Sequence, residues 1–108
     1  MELLEPWYSI KNDATQVVSL TKELLREVGV GHPLYGLPVR AVGRRYDCDN
    51  VLYAIEDGSG GFADVHLTYT GAPERLPWPT STRYSSFDAW LEERRTARGS
   101  RGVFHVQR

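Results

Sequence analysis

Asp64, His66 and Thr68 alternate with Ala63, Val65, Leu67 and Tyr69 in the run Phe62–Thr70 (FADVHLTYT), the longest clean period-two pattern of the chain. An extended backbone puts a carboxylate, an imidazole and a hydroxyl on one face, about 7 Å apart, with the apolar residues on the other. An imidazole beside a carboxylate can serve as a general acid–base pair or as two corners of a metal site. A metal site needs three or four ligands, and an acid–base pair needs a cleft. Neither is visible around this run. Asp64 and His66 are therefore named as candidate catalytic residues against the simpler alternative of a solvated strand face, which is preferred. No metal-ligand set and no cofactor is implied.

Other chemical clusters dissolve on inspection. Asp47, Asp49 and Asn50 echo the start of a calcium loop, but Leu52 and Gly58 stand where its glycine and glutamate belong. Gly58, Gly60 and Gly61 precede neither a GK[ST] sequence nor a helix, so they read as a hairpin turn and not a phosphate cradle. Cys48 lies among acids, which raise a thiol pKa and argue against a nucleophile. Ser81, Ser85 and Ser86 stand in no nucleophile motif.

The aromatic residues carry a stronger signal. Trp7, Tyr8, Tyr35, Trp78, Tyr84, Phe87 and Trp90 all fall outside the three strands read below, more than a core of this size readily buries. His32, Tyr35, Trp78, Arg83 and Tyr84 are the candidate binding residues, because aromatic and arginine side chains dominate binding hot spots. The competing reading is a small aromatic core that glues the connectors to the second helix.

Positioning these residues requires a scaffold. Asp13 with Gln16 three residues on forms a capping-box pattern, and Val17, Leu20, Leu24, Leu25 and Val28 make one apolar stripe. A helix is expected from about Asp13 to Val28, ended by Gly29. Val39–Tyr46, Val51–Glu56 and Phe62–Thr70 read as three strands joined by polar and Asp-Gly turns, an antiparallel meander. The middle strand is nearly apolar on both faces. Gly71–Tyr84, with Pro73, Pro77 and Pro79, reads as an irregular loop. A second helix is expected from Ser85 or Ser86, with Phe87, Trp90, Leu91 and the stem of Arg94 inward, stopping at Gly99. The expected fold is α+β: N-terminal helix, three-stranded meander, C-terminal helix, both helices on one sheet face. Residues 1–108 form a single domain, with 1–12 pinned onto the body and 100–108 a flexible or edge-strand tail.

Composition narrows the function classes. The chain has 108 residues, 41% apolar and 25% charged, the balance of a globular domain. Its apolar runs fall far short of the roughly 20 residues of a membrane span, and the acidic start lacks a secretory pattern, so a cytoplasmic setting is expected. A single cysteine fits that setting and forbids an internal disulfide. The net charge of −1 hides an asymmetry: all fourteen acids lie before Arg94, and five of the thirteen basic residues follow from there. Arg94, Arg95, Arg98 and Arg101 are the one basic cluster, and the acidic body works against nucleic acid as a partner.

The segments EVGVGHPLYG, DCDNVL, VHLTY and PWPT occur in the order found in a group of small uncharacterised bacterial proteins whose centre reads VVHLTW. The chain resembles that group over residues 7 to about 95, with Tyr69 in place of the tryptophan and an additional arginine-rich tail. The resemblance implies a bacterial cytoplasmic protein and transfers no activity or site residue. With no catalytic constellation, an acidic body and surplus aromatics, the expected function is non-enzymatic protein binding of an immunity or inhibitor type. The alternatives are a small enzyme or metal-binding protein built on Asp64 and His66, and a homodimer that hides the open sheet face or an edge strand.

Overall fold

The computed structural model describes residues 3–103, with side chains through Thr96. Among the described residues, two helices and a five-stranded antiparallel sheet follow in the order β1 (Trp7–Ser9), α1 (Ala14–Glu27), β2 (Val39–Arg45), β3 (Asn50–Ile55), β4 (Phe62–His66), β5 (Ser81–Tyr84) and α2 (Phe87–Val103). Sheet order follows sequence order, β1-β2-β3-β4-β5. The α+β class stands, but the three-stranded meander is corrected to five strands. The two added strands are edges of three and four residues, WYS and STRY, too short for a period-two pattern to emerge. STRY also follows directly on the proline-rich stretch that argued for a loop.

Placing both helices on one face is the second correction. Leu20, Leu24 and Val28 of α1 pack on Ala41, Val51, Tyr53, Ile55, Ala63 and Val65. On the opposite face Trp90 and Leu91 of α2 pack with Trp7, Val42 and Leu52. The sheet is therefore covered on both sides, which explains the apolar character of both faces of β3. A β-bulge in β2, between Ala41 and Gly43, shifts the register so that Ala41 opposes Tyr53 while Gly43 opposes Leu52. Strict alternation along this strand breaks there, and Val42 joins the α2 side. Gly43 accommodates Leu3, since a Cβ there would lie 2.7 Å from a Leu3 methyl.

Helix boundaries follow their caps. Asp13 Oδ1 accepts the Gln16 amide at 3.1 Å, and the Gln16 side chain returns to Asp13 Oδ2 at 2.9 Å. At the other end Val28 is the extended C-cap and Gly29 does not adopt the left-handed conformation expected of it; Gly31 and Gly36 do. Ser86 caps α2 by accepting the Ala89 amide at 3.0 Å, and the helix runs past Gly99 to Val103. Residues 100–103 are thus helical, and 104–108 lie outside the described residues.

The inward stripe of α1 also differs from expectation. Leu25 is exposed, whereas Glu23 and Glu27 are buried beside Leu20 and Leu24. These two acids anchor the chain leaving β4, as set out below.

Candidate functional site

Asp64 and His66 share a sheet face, yet their environments differ. Helix α2 closes over Asp64, leaving its side chain 10% exposed. Its Oδ2 accepts from Arg94 at 3.0 Å and from the Trp90 indole at 3.2 Å, and its Oδ1 accepts from Asn50 Nδ2 at 2.8 Å. His66, one pleat further on, is exposed, and its Nδ1 lies 2.9 Å from Asn50 Oδ1. A carboxylate paired with a guanidinium can only accept, so Asn50 turns its amide nitrogen to Asp64 and its oxygen to His66. His66 Nδ1 must then carry a proton and donate. Neutral His66 is left with its lone pair on Nε2. The chain Asp64–Asn50–His66 is a relay of orientation that fixes a tautomer from beneath helix α2.

His66 borders an open cleft of about 450 Å³ lined by Asp49, His66, Leu67, Thr68, Glu74 and Trp78. The Thr68 hydroxyl donates to Glu74 Oε2 at 2.6 Å. Asp49 comes from the β2–β3 turn, and its carbonyl accepts the Leu67 amide at 3.2 Å. Among the described residues, no group of three or more His, Cys, Asp or Glu side chains is placed to hold a metal ion.

The wall containing Thr68 is held by buried acids. Glu27 is fully buried; its Oε1 accepts the Thr68 amide at 3.0 Å and its Oε2 the Tyr69 amide at 2.7 Å. Tyr69 has φ of 60°, so the backbone turns its amides into a small cup that the carboxyl fills. Glu23 accepts the Gly71 amide at 3.0 Å. Burial pushes the Glu27 carboxyl above the usual range, and a hydrogen bond from Glu27 holds Glu23 below it. Sequence reading missed this pair, although the spacing of Leu20, Glu23, Leu24 and Glu27 on one helical stripe was the available signal.

His32 is 4% exposed and works as a buried clip between connectors. Its Nδ1 accepts the Leu34 amide at 3.0 Å, and its Nε2–H donates to the Pro79 carbonyl at 2.7 Å. The connector before β2 is thereby fastened to the proline-rich segment before β5. The Glu74 amide adds a bond to the Glu27 carbonyl at 2.9 Å. His32→Ala removes both ring bonds and is expected to cost about 2 kcal/mol. Urea denaturation measures this, and a loss below about 0.5 kcal/mol would show that the connectors hold together without the ring.

On these fastened connectors Val30, Tyr35, Leu76 and Trp78 are exposed, Trp78 to 45%. Leu76 lies over Gly31, where an added Cβ would approach its methyl to 3.0 Å. Beside it runs a second depression of about 380 Å³, lined by Gly31, Pro33, Leu76, Pro77, Thr80 and Ser81. Arg83 is exposed on the edge strand β5. Tyr84 is half-buried against the α2 core, with the Arg94 guanidinium 5.9 Å from its ring centre. Of the basic cluster, Arg94 is turned in on Asp64 and Trp90, and Arg95 approaches Glu92 at 3.7 Å. The side chains of Arg98 and Arg101 lie outside those described.

The chain was compared with protein-family models, curated proteins and solved structures, and none matches it. No helix among the described residues is long and apolar enough to cross a membrane.

Proposed function

We propose that this protein is a non-enzymatic binding module, of the inhibitor or immunity type, whose recognition surface is the pair of fastened connectors. The observation that carries it is the exposure of Val30, Tyr35, Leu76 and Trp78 on two segments that buried His32 ties together. Large apolar side chains on a pre-ordered support lose little conformational entropy on docking, the property that makes such residues binding anchors. Asp64 fits this picture better than a catalytic one. Its oxygens already serve three donors, and its contribution reaches the surface only through the orientation of His66.

A paired set of variants tests the assignment. Leu76→Ser/Trp78→Ser alters the connector surface, and Val18→Ser/Leu25→Ser alters the exposed outer side of α1. Immobilised wild-type protein is expected to retain a stoichiometric partner from an extract of its own source cells. The first double variant should lower that recovery at least about tenfold and the second should leave it unchanged. Light scattering on the same three proteins identifies the case in which the partner is a second copy. Equal recovery by all three, or no stoichiometric species with any, would refute the assignment.

A further inference from the structure

The cleft between the β2–β3 turn and the proline-rich segment is distinctive in its hydrogen-bonding polarity. No lysine or arginine is among its lining residues, and Asp49, His66, Thr68 and Glu74 all keep lone pairs to offer. Asp49 and Glu74 contribute carboxylates. The Thr68 hydroxyl donates its hydrogen to Glu74, so its oxygen is left as an acceptor. Asn50, set by Asp64, accepts a hydrogen bond from Nδ1–H of His66, which leaves the lone pair on Nε2. Trp78 adds a half-exposed indole, the strongest aromatic partner for a cation. The guanidinium groups of Arg44 and Arg45 on β2 and of Arg94 on α2 are occupied elsewhere, on Gln16, Asp47 and Asp64.

From this polarity we infer that the cleft receives the guanidinium of an arginine side chain on a protein partner. A guanidinium offers five N–H donors in one plane and accepts nothing, which complements a site made of acceptors, and the same plane stacks on an indole. The cleft adjoins the apolar connector surface through Trp78, so an arginine seated there would flank the apolar contact. The inference relies on the protein-binding assignment for its biological occupant, but the cleft can be tested by itself.

The probes are N-acetyl-arginine amide and N-acetyl-citrulline amide, two uncharged-terminus molecules of nearly equal shape that differ in the cation. Titrated into the 15N-labelled chain at low salt and pH 8, the arginine probe is expected to give saturable shifts at Asp49, His66, Thr68, Glu74 and the Trp78 indole. A single exposed cation site corresponds to a Kd on the order of millimolar. Citrulline should give none, and 0.5 M salt should weaken the arginine probe severalfold. Asp49→Asn and Glu74→Gln should each weaken it about two- to fivefold, and Trp78→Ala should weaken it comparably. Equal shifts from the two probes, shifts scattered over the acidic surface, or indifference to Glu74→Gln and Trp78→Ala would overturn the inference. Trp78 belongs to both surfaces, but Leu76 does not line the cleft, so Leu76→Ser alone reports on connector docking, and a cleft that binds no arginine leaves that result standing and fails here alone.

Discussion

Glu27→Gln should destabilise the fold by about 3 kcal/mol and loosen the wall of the cleft at the same time. Each carboxyl oxygen of Glu27 receives a backbone amide, from Thr68 at 3.0 Å and from Tyr69 at 2.7 Å. Glutamine keeps one acceptor and turns an NH₂ group toward the second amide, so a buried N–H loses its partner. Such a loss costs about 1–3 kcal/mol. In a domain stable by about 5–15 kcal/mol this is a large fraction, equivalent to a fall in Tm on the order of 10 °C. The pH dependence distinguishes this cause from simple repacking. Burial raises the Glu27 pKa in the folded chain, so the fold binds its proton more tightly than the unfolded chain does. The stability from that proton is fully present below the unfolded value of 4.5 and is lost as pH rises through the raised folded value. Glu23 has the opposite sign: its lowered folded pKa gives stability that is present above 4.5 and lost as pH falls below it. Above pH 4.5 the Glu27 contribution is the one that changes. The stability difference between wild type and Glu27→Gln should therefore widen as the pH falls across that window. A difference that stays constant or narrows in thermal melts would mean that the carboxyl remains ionised there.

This coupling explains why the scaffold was easier to read from sequence than the site. Patterns with a regular period announce themselves: the Asp13–Gln16 cap, the three central strands and the Asp57–Gly58 turn, where Gly58 takes φ of 88°. Short edge strands have no period to show. WYS and STRY become strands through the neighbours they pair with, Arg45 to Gly43 and Phe62 to Val65, and those partners lie 34 to 38 and 16 to 22 residues away in the chain. The side of the sheet chosen by α2 is a tertiary matter as well. An outward set of Asp64, His66 and Thr68 reads as solvated because nothing local reveals that Trp90 and Arg94, 26 and 30 residues on, will close over Asp64. Glu23 and Glu27 were overlooked for the same reason. A charged residue is ordinarily assigned to the wet side of a helix, and only the bare amides of Thr68, Tyr69 and Gly71 justify burying these two.

Trp90→Ala should be the most damaging single change in the chain, costing about 4 kcal/mol or more. The residue is fully buried, 5.1 Å edge-on from Trp7 and stacked at 5.6 Å on Phe87, so the space it vacates lies at the centre of the α2 core. Tryptophan-to-alanine changes at such positions cost about 3–5 kcal/mol from lost burial and residual cavity. Trp90 also roofs the Asp64–Arg94 pair, with the Arg94 guanidinium 5.5 Å from its ring centre, and opening that roof lets water screen a contact that burial had strengthened. Trp90→Phe separates the two roles. Phenylalanine retains most of the aromatic packing but removes the indole N–H that holds Asp64 Oδ2, so its cost should be nearer 1–2 kcal/mol. The effect should also travel: Asp64, freed of one donor, holds Asn50 less firmly, and Asn50 sets the proton on His66 Nδ1. In 15N spectra of the imidazole, Trp90→Phe should shift the His66 ring signals toward a mixture of tautomers while the His32 signals, on the far clip, stay in place. A His66 ring unmoved by Trp90→Phe would mean that Arg94 and Asn50 alone set Asp64, and that helix α2 covers the relay without governing it.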